Sequence, residues 1–284
     1  MKWRGRRGSR NIVDARRSGG GGRVAVGGGL GVIAIVLIGA FLGYDLTPLL
    51  SGGGQPVVSS PGAARITAAD EERARFVSVV LADTEDVWSD IFATQLGQRY
   101  DPPELVLFKG AVRSGCGGAT SASGPFYCPA DRRAYLDTDF FVTLDRRLGA
   151  GGDFAAAYVV AHEVAHHVQN ELGILPEVAR LRAGASTTEA NALTVRLELQ
   201  ADCFSGIWAR AAEEQFGSLE PGDIEEAMNA AARIGDDTLA REAGRAVRPE
   251  TFTHGTSAQR QRWFMRGYET GDLAACDTFA TDRL

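Results

Sequence analysis

Three of the four histidines in this 284-residue chain fall in one short stretch, Ala161-His162-Glu163-Val164-Ala165-His166-His167, and the fourth, His254, lies in Phe252-Thr253-His254-Gly255. The first stretch reads H-E-x-x-H. On a helix, residues i and i+4 share a face, so His162 and His166 can offer two imidazoles to one ion. Glu163, one residue along, reaches a water on that ion but is poorly placed to bind the ion itself. Two histidines, a carboxylate that takes a proton from water, and a third ligand from elsewhere are the parts of a zinc hydrolase. The plainer account of so short a match is a polar surface helix. The apolar run from Phe154 to Val160 weighs against it. Polar groups emerging from an apolar helix need a metal or hydrogen bonds to satisfy them. Gly151-Gly152-Asp153 marks the helix start, with Asp153 as the expected N-cap.

The third ligand is expected in Leu197-Glu198-Leu199-Gln200-Ala201-Asp202-Cys203, within a helix from about Thr188 to Gln215. Glu198 and Asp202 are themselves i and i+4, so they face the same way. The simplest division of labour makes Glu198 the third ligand of one Zn²⁺ ion. Asp202, the shorter arm, then stays behind and accepts the second ring N–H of a ligand histidine. The opposite assignment, with Asp202 on the ion and Glu198 behind it, stays open. Glu189, Glu213 and Glu214 read as an exposed acidic face. His167 points about 100° away from His166 on the helix and is not a ligand of the same ion. Gln169 and Arg260 carry no assignment.

These segments resemble the bacterial neutral zinc metallopeptidases. The resemblance rests on His162-Glu163-x-x-His166-His167-Val168-Gln169, on Arg196 through Cys203, and on Phe252-Thr253-His254-Gly255-x-Ser257-x-Gln259-Arg260. Gly124-Pro125-Phe126-Tyr127-Cys128-Pro129-Ala130-Asp131 adds to it, and the whole covers about Arg65 to Cys276. The Glu-x-x-Ala-Asp element is also similar to that of membrane-bound gluzincin peptidases, in which the Glu binds zinc. The resemblance implies a zincin-like fold and peptidase activity, without naming a substrate. It also implies that His254, which local sequence alone would leave as a surface histidine, sits near the metal. There it can stabilise the oxyanion that forms during attack on a peptide carbonyl; a supporting or structural use is the alternative. Ala165 stands where a Gly is common, a change that a helix interior tolerates.

The ends of the chain point to a membrane. Residues 1–23 carry eight basic side chains and one acid, Asp14. Val24 to Tyr44 is a stretch of 21 residues without charge, about the length needed to cross the hydrocarbon core as a helix. No small-residue cleavage site follows, so an uncleaved anchor is expected in preference to a cleaved signal. The basic tail, residues 1–23, is then disordered and cytoplasmic, and the rest is exported. Residues 45–64 form a Gly/Ser/Pro linker to one domain over residues 65–284. Beyond residue 23 the chain holds 22 basic and 35 acidic side chains, a balance poorly suited to binding nucleic acid through its phosphates.

All four cysteines lie on the side expected to be exported. Cys116 and Cys128 bracket a Gly/Ser-rich loop that a disulfide would close, and Cys203 with Cys276 would tie the C-terminus to the Glu198/Asp202 helix. Neither pair has the close spacing of a zinc thiolate site.

The remaining pattern reads as α+β with helices in the majority and a small sheet. A helix capped by Thr67 runs to about Leu96. Leu105–Phe108 is a strand, followed by loop to Ser123. Phe126–Cys128 and Arg133–Asp137 form a hairpin, and Asp139 to Leu148 a short helix. A small helical piece lies between Glu171 and Ser186. Pro221 to Ile234 is helical, and Thr256 or Ser257 caps a last helix through Tyr268. The hairpin is a candidate edge for pairing with an extended substrate. Peptide hydrolysis in a membrane-anchored enzyme is the expected function. A non-catalytic envelope binding protein with a structural zinc and a zinc hydrolase of non-peptide bonds are the alternatives.

Overall fold

The computed structural model describes residues 1–17 and 66–284. The expected anchor at 24–44 and linker at 45–64 lie outside the described residues. Among the described residues, no helix is long and apolar enough to cross a membrane.

The architecture is mostly helical with a small mixed sheet. In chain order it comprises β1 (Ile12–Asp14), α1 (Ala68–Ile91), β2 (Glu104–Phe108), β3 (Ala111–Ser114), β4 (Gly117–Thr120), β5 (Phe126–Cys128) and β6 (Arg133–Asp137). Helices α2 (Phe140–Arg146), α3 (Asp153–Glu171), α4 (Ile174–Ala183), α5 (Thr187–Phe216), α6 (Asp223–Arg233), α7 (Asp236–Glu242) and α8 (Ser257–Thr270) follow. The main sheet has the order β1-β2-β6-β5. Its first three strands are parallel, and β5 closes the edge antiparallel to β6.

The helix boundaries follow from their caps. Thr67, Ser186 and Thr256 each head a helix with a reciprocal capping box, closed by Asp70, Glu189 and Gln259 respectively. The first helix continues through a π-helical turn at Phe92–Leu96, and Gly97 ends it in the left-handed conformation. Asp153 is not the cap of α3. Gly152 holds that position at φ 118°, and Glu226 from α6 accepts a hydrogen bond from the Phe154 N–H. Asp153 instead meets the amino group of Met1. The neighbouring helix thus does what the local sequence suggested Asp153 would do.

Besides β1, three elements depart from the sequence reading by addition. The stretch expected as loop to Ser123 contains the antiparallel pair β3–β4. Its glycines and polar residues carry little strand propensity, and the register instead forms around the turn at Cys116. Helix α7 was not expected; its start is organised by tertiary contacts of Asp236 described below.

Residues 1–17 correct the expectation of a disordered tail. They pack on α1, β2 and the C-terminal end of α5. β1 extends the sheet in parallel register with Leu105–Leu107. Arg6 forms a two-pronged pair with Asp83, at 2.7 Å for each bond, and its guanidinium lies over the Phe216 ring. Trp3 packs edge-on against Phe76. Arg16 is buried and meets Asp14, Glu71 and the carbonyl of Asp70. The basic residues that suggested a solvated leader are therefore partners of acids on the domain.

Both expected disulfides are formed, Cys116–Cys128 and Cys203–Cys276. The second joins α5 to the short turn after α8. Helices α5 and α8 also meet backbone to backbone. A Cβ on Gly206 would lie 2.0 Å from the Phe264 carbonyl oxygen, and one on Gly267 would lie 1.8 Å from that of Cys203. No rotamer change relieves a clash with backbone. Gly267→Ala should therefore destabilise the fold by about 3 kcal/mol or more, read as a fall in the midpoint of chemical denaturation.

Candidate metal centre

Helices α3 and α5 pack against one another and present the two motifs across their contact. His162, His166 and Glu198 bring one donor atom each to within 4.8 Å of the others. His162 Nε2 lies 3.1 Å from Glu198 Oε2, and His166 Nε2 lies 3.5 Å from Glu198 Oε1. Asp202, one turn further on α5, is not part of this group. Both of its oxygens are engaged by Arg260 from α8, at 2.8 Å from Nε and 2.9 Å from Nη2, and Tyr158 of α3 donates its hydroxyl to Oδ1 at 2.5 Å. His162 Nδ1 faces Asp202 Oδ1 at 3.0 Å. The geometry therefore separates the two acids as the shorter-arm argument expects, Glu198 forward and Asp202 behind.

The donor set suits a divalent ion because the tautomers are arranged for it. Gln169, one turn after His166, donates its amide N–H groups to the Leu197 carbonyl at 2.7 Å and to Gln200 Oε1 at 3.1 Å. Its Oε1 is then the acceptor that faces His166 Nδ1 at 2.9 Å. A proton on Nδ1 leaves the Nε2 lone pair pointing toward Glu198. His162 Nδ1 lies close to Asp202 without hydrogen-bond alignment, and its Nε2 is turned toward Glu198. Histidine, histidine and carboxylate in this disposition fit Zn²⁺, and all three side chains line a cleft.

Electrostatics at the site are dominated by burial. Burial opposes protonation of His162, but Asp202 and Glu198 outweigh it and carry its pKa up to about 9. Burial works against ionisation of Glu198, yet His166 and His162 hold it well below the usual carboxylate range. Glu163 has no such partner. Burial, with Glu198 adding to it and His162 opposing, raises its carboxyl to about 7. That is the range in which a carboxylate both takes and returns a proton near neutrality.

His254 is brought to the same cleft, on the turn between α7 and α8. Asp236, the first residue of α7, organises that turn. Its Oδ2 accepts the N–H groups of Thr253, His254 and Gly255 at 2.7, 2.6 and 3.1 Å, and its Oδ1 lies 3.2 Å from His254 Nδ1. Burial disfavours a charged His254, but Asp236 and Glu198 outweigh it and raise its pKa. His167 points elsewhere. Its Nε2 donates to the Asp101 carbonyl at 2.7 Å, and its Nδ1 accepts from the Tyr127 hydroxyl at 3.0 Å. It ties α3 to the hairpin strand β5 and to the turn before β2.

The cleft above these residues has a volume of about 490 Å³. Strand β5 and the glycine-rich β4 form one wall, α4 another, and Ile234 and Leu239 close the side near His254. The hairpin expected to border the site does so through its edge strand β5.

These motifs and their geometry agree with the comparison of the whole chain. The model of the family described as "Putative neutral zinc metallopeptidase" matches residues 1–279. The chain belongs to this neutral zinc metallopeptidase family. Its relatives include the uncharacterized protein YpfJ of Escherichia coli K12, 48% identical over 287 aligned positions that cover 98% of this chain and 99% of that one. The uncharacterized protein Rv2575 of Mycobacterium tuberculosis H37Rv is 50% identical over 191 positions, 64% of each chain. No solved structure matches. The family match includes residues 1–17, the segment docked on the domain.

Four residues beside the site carried no expectation, or no role, from sequence: Tyr158, Gln169, Asp236 and Arg260. Gln169 had a usable signal, since it lies three residues after His166 on the same helix. Asp236 and Arg260 are distant in sequence, and only folding aims them at their histidine and aspartate. Replacing the acceptor, as in Gln169→Leu, should weaken metal binding by about 10- to 100-fold, measured by competition with a chromogenic chelator.

Proposed function

We propose that the protein is a zinc-dependent metallopeptidase whose catalytic centre is the His162, His166 and Glu198 cluster, with Glu163 as general base. One observation carries this reading: among the described residues the cluster has three protein donors and opens on a cleft that the Glu163 carboxylate also lines. A structural zinc site is closed by protein ligands and needs no base.

Bound at these three residues, one Zn²⁺ ion would polarise the scissile carbonyl and acidify water. Glu163 accepts the proton of the attacking water and returns it to the leaving amine. His254, held by Asp236, donates to the carbonyl oxygen as negative charge develops on it. Asp202 keeps His162 in the tautomer that presents Nε2, while Arg260 and Tyr158 keep Asp202 ionised and still. Strand β5, at the sheet edge beside α3, provides the zincin-like border along which an extended peptide pairs.

Glu163→Gln tests this assignment. Metal analysis should find one zinc in both wild type and variant, while cleavage of a peptide library falls by about three orders of magnitude in the variant. Zinc in both proteins with no cleavage by either would overturn the peptidase reading. Zinc in neither would overturn the metal site.

For location, we propose that residues 1–17 and 66–284 share one compartment, an oxidising one that suits the two disulfides. Membrane contact through residues 24–44 belongs to the same proposal. Single cysteines at exposed positions such as Arg4 and Glu213 should then react alike with a membrane-impermeant thiol reagent on intact cells. Labelling of one position alone would overturn it.

A further inference from the structure

Helix α4 connects the two metal-bearing helices, so it borders the cleft between them. Leu175, Val178, Ala179 and Arg182 recur at three- and four-residue spacing and all line that cleft. The face is thus three apolar side chains followed by one guanidinium. Two residues earlier, Arg180 turns outward and pairs with Glu177. The other arginine lining the cleft, Arg260, is bound to Asp202.

Arg182 differs from both. Its Nε is buried, and among the described residues no group accepts a hydrogen bond from it. No carboxylate lies within ion-pair distance of its guanidinium in the described residues, and burial alone lowers its pKa. Arginine nevertheless remains charged at neutral pH. The guanidinium as a whole is only partly buried, but its buried Nε–H left unpaired is costly, and that cost disappears when a ligand supplies the acceptor. The two acids of the cleft, Glu163 and Glu198, are committed to the metal centre.

We propose that Arg182 is a specificity residue that binds a carboxylate of the substrate, an inference that rests on the peptidase reading. The planar fork of a guanidinium matches a carboxylate with two parallel hydrogen bonds. From Leu175 to Arg182 the helix rises about 10 Å, the length of about three extended residues. The substrate is therefore a peptide with an acidic group about three residues from an apolar side chain seated at Leu175. That carboxylate is either an Asp or Glu side chain or the peptide's own C-terminus.

The test uses the full chain and quenched fluorescent peptides of one apolar sequence. One arm places Glu or Gln at successive positions in C-terminally amidated peptides. A second arm compares free and amidated C-termini at several lengths. Wild type should prefer the acidic member of a pair by about 10- to 100-fold in kcat/KM. In Arg182→Ala that ratio should fall to about one, with the thermal midpoint of the protein retained. The arm that shows the preference identifies the source of the carboxylate.

The same peptides are titrated by fluorescence anisotropy into Glu163→Gln and Glu163→Gln/Arg182→Ala, with and without zinc. Acid-selective binding that Arg182→Ala removes, without cleavage by wild type, would sustain the Arg182 site and overturn the peptidase reading. Cleavage with no acid preference, or an equal loss on every peptide in Arg182→Ala, would overturn the Arg182 site and leave the peptidase reading standing. Neither binding nor cleavage would overturn both.

Discussion

The structure depends on one buried carboxylate. Asp202 is fully enclosed, and an ionised acid in that position is tolerated only when cations and hydrogen bonds surround it. Arg260 and Tyr158 meet that demand, and His162 faces the acid from the other side. The four groups come from three helices. Satisfying Asp202 therefore fixes how α3, α5 and α8 sit together, and with them the distance from His162 to Glu198. The backbone contact at Gly206 and Gly267 lets α8 come close enough for Arg260 to reach.

The second histidine of the cluster is held by a longer relay. His166 leans on Gln169, Gln169 on Gln200, and Gln200 donates to the carbonyl of Cys276 at 3.2 Å. Cys276 is itself bound to Cys203 on α5. The disulfide and His166 thus share one set of buried hydrogen bonds. His254 follows the same rule with Asp236, whose carboxylate also ties down three backbone N–H groups of the turn. Each histidine at the site has one ring nitrogen occupied by, or turned to, a protein acceptor. The other is left for the chemistry. Above this polar floor the walls are apolar, which strengthens every charge interaction at the base of the cleft.

Much of the site was legible in the sequence because its signals are local. H-E-x-x-H is periodic on one helix, Glu198 and Asp202 are periodic on another, and caps such as Thr67, Ser186 and Thr256 carry their partners three residues on. What failed had non-local causes. Asp153 looks like a cap, yet Glu226 from another helix takes its place and frees it to meet Met1. β3 and β4 have few strand formers, Val112 and Thr120, and exist through each other. The basic residues 1–17 look solvated until the acids that receive them, Asp83 and Glu71 among others, are seen in space.

Residue types and spacings alone pointed to the two candidate histidine ligands, the candidate base, the two disulfides and the helix-rich class, since each is written in short-range pattern or cysteine arithmetic. Tertiary structure decided which acid stands forward, which nitrogen each histidine presents, where the N-terminal segment docks, and that Arg182 lines the cleft with, among the described residues, no acceptor for its Nε–H. The physical reason is the same in each case. A buried charge or donor is defined by what surrounds it, and its surroundings are drawn from parts of the chain that no local pattern connects.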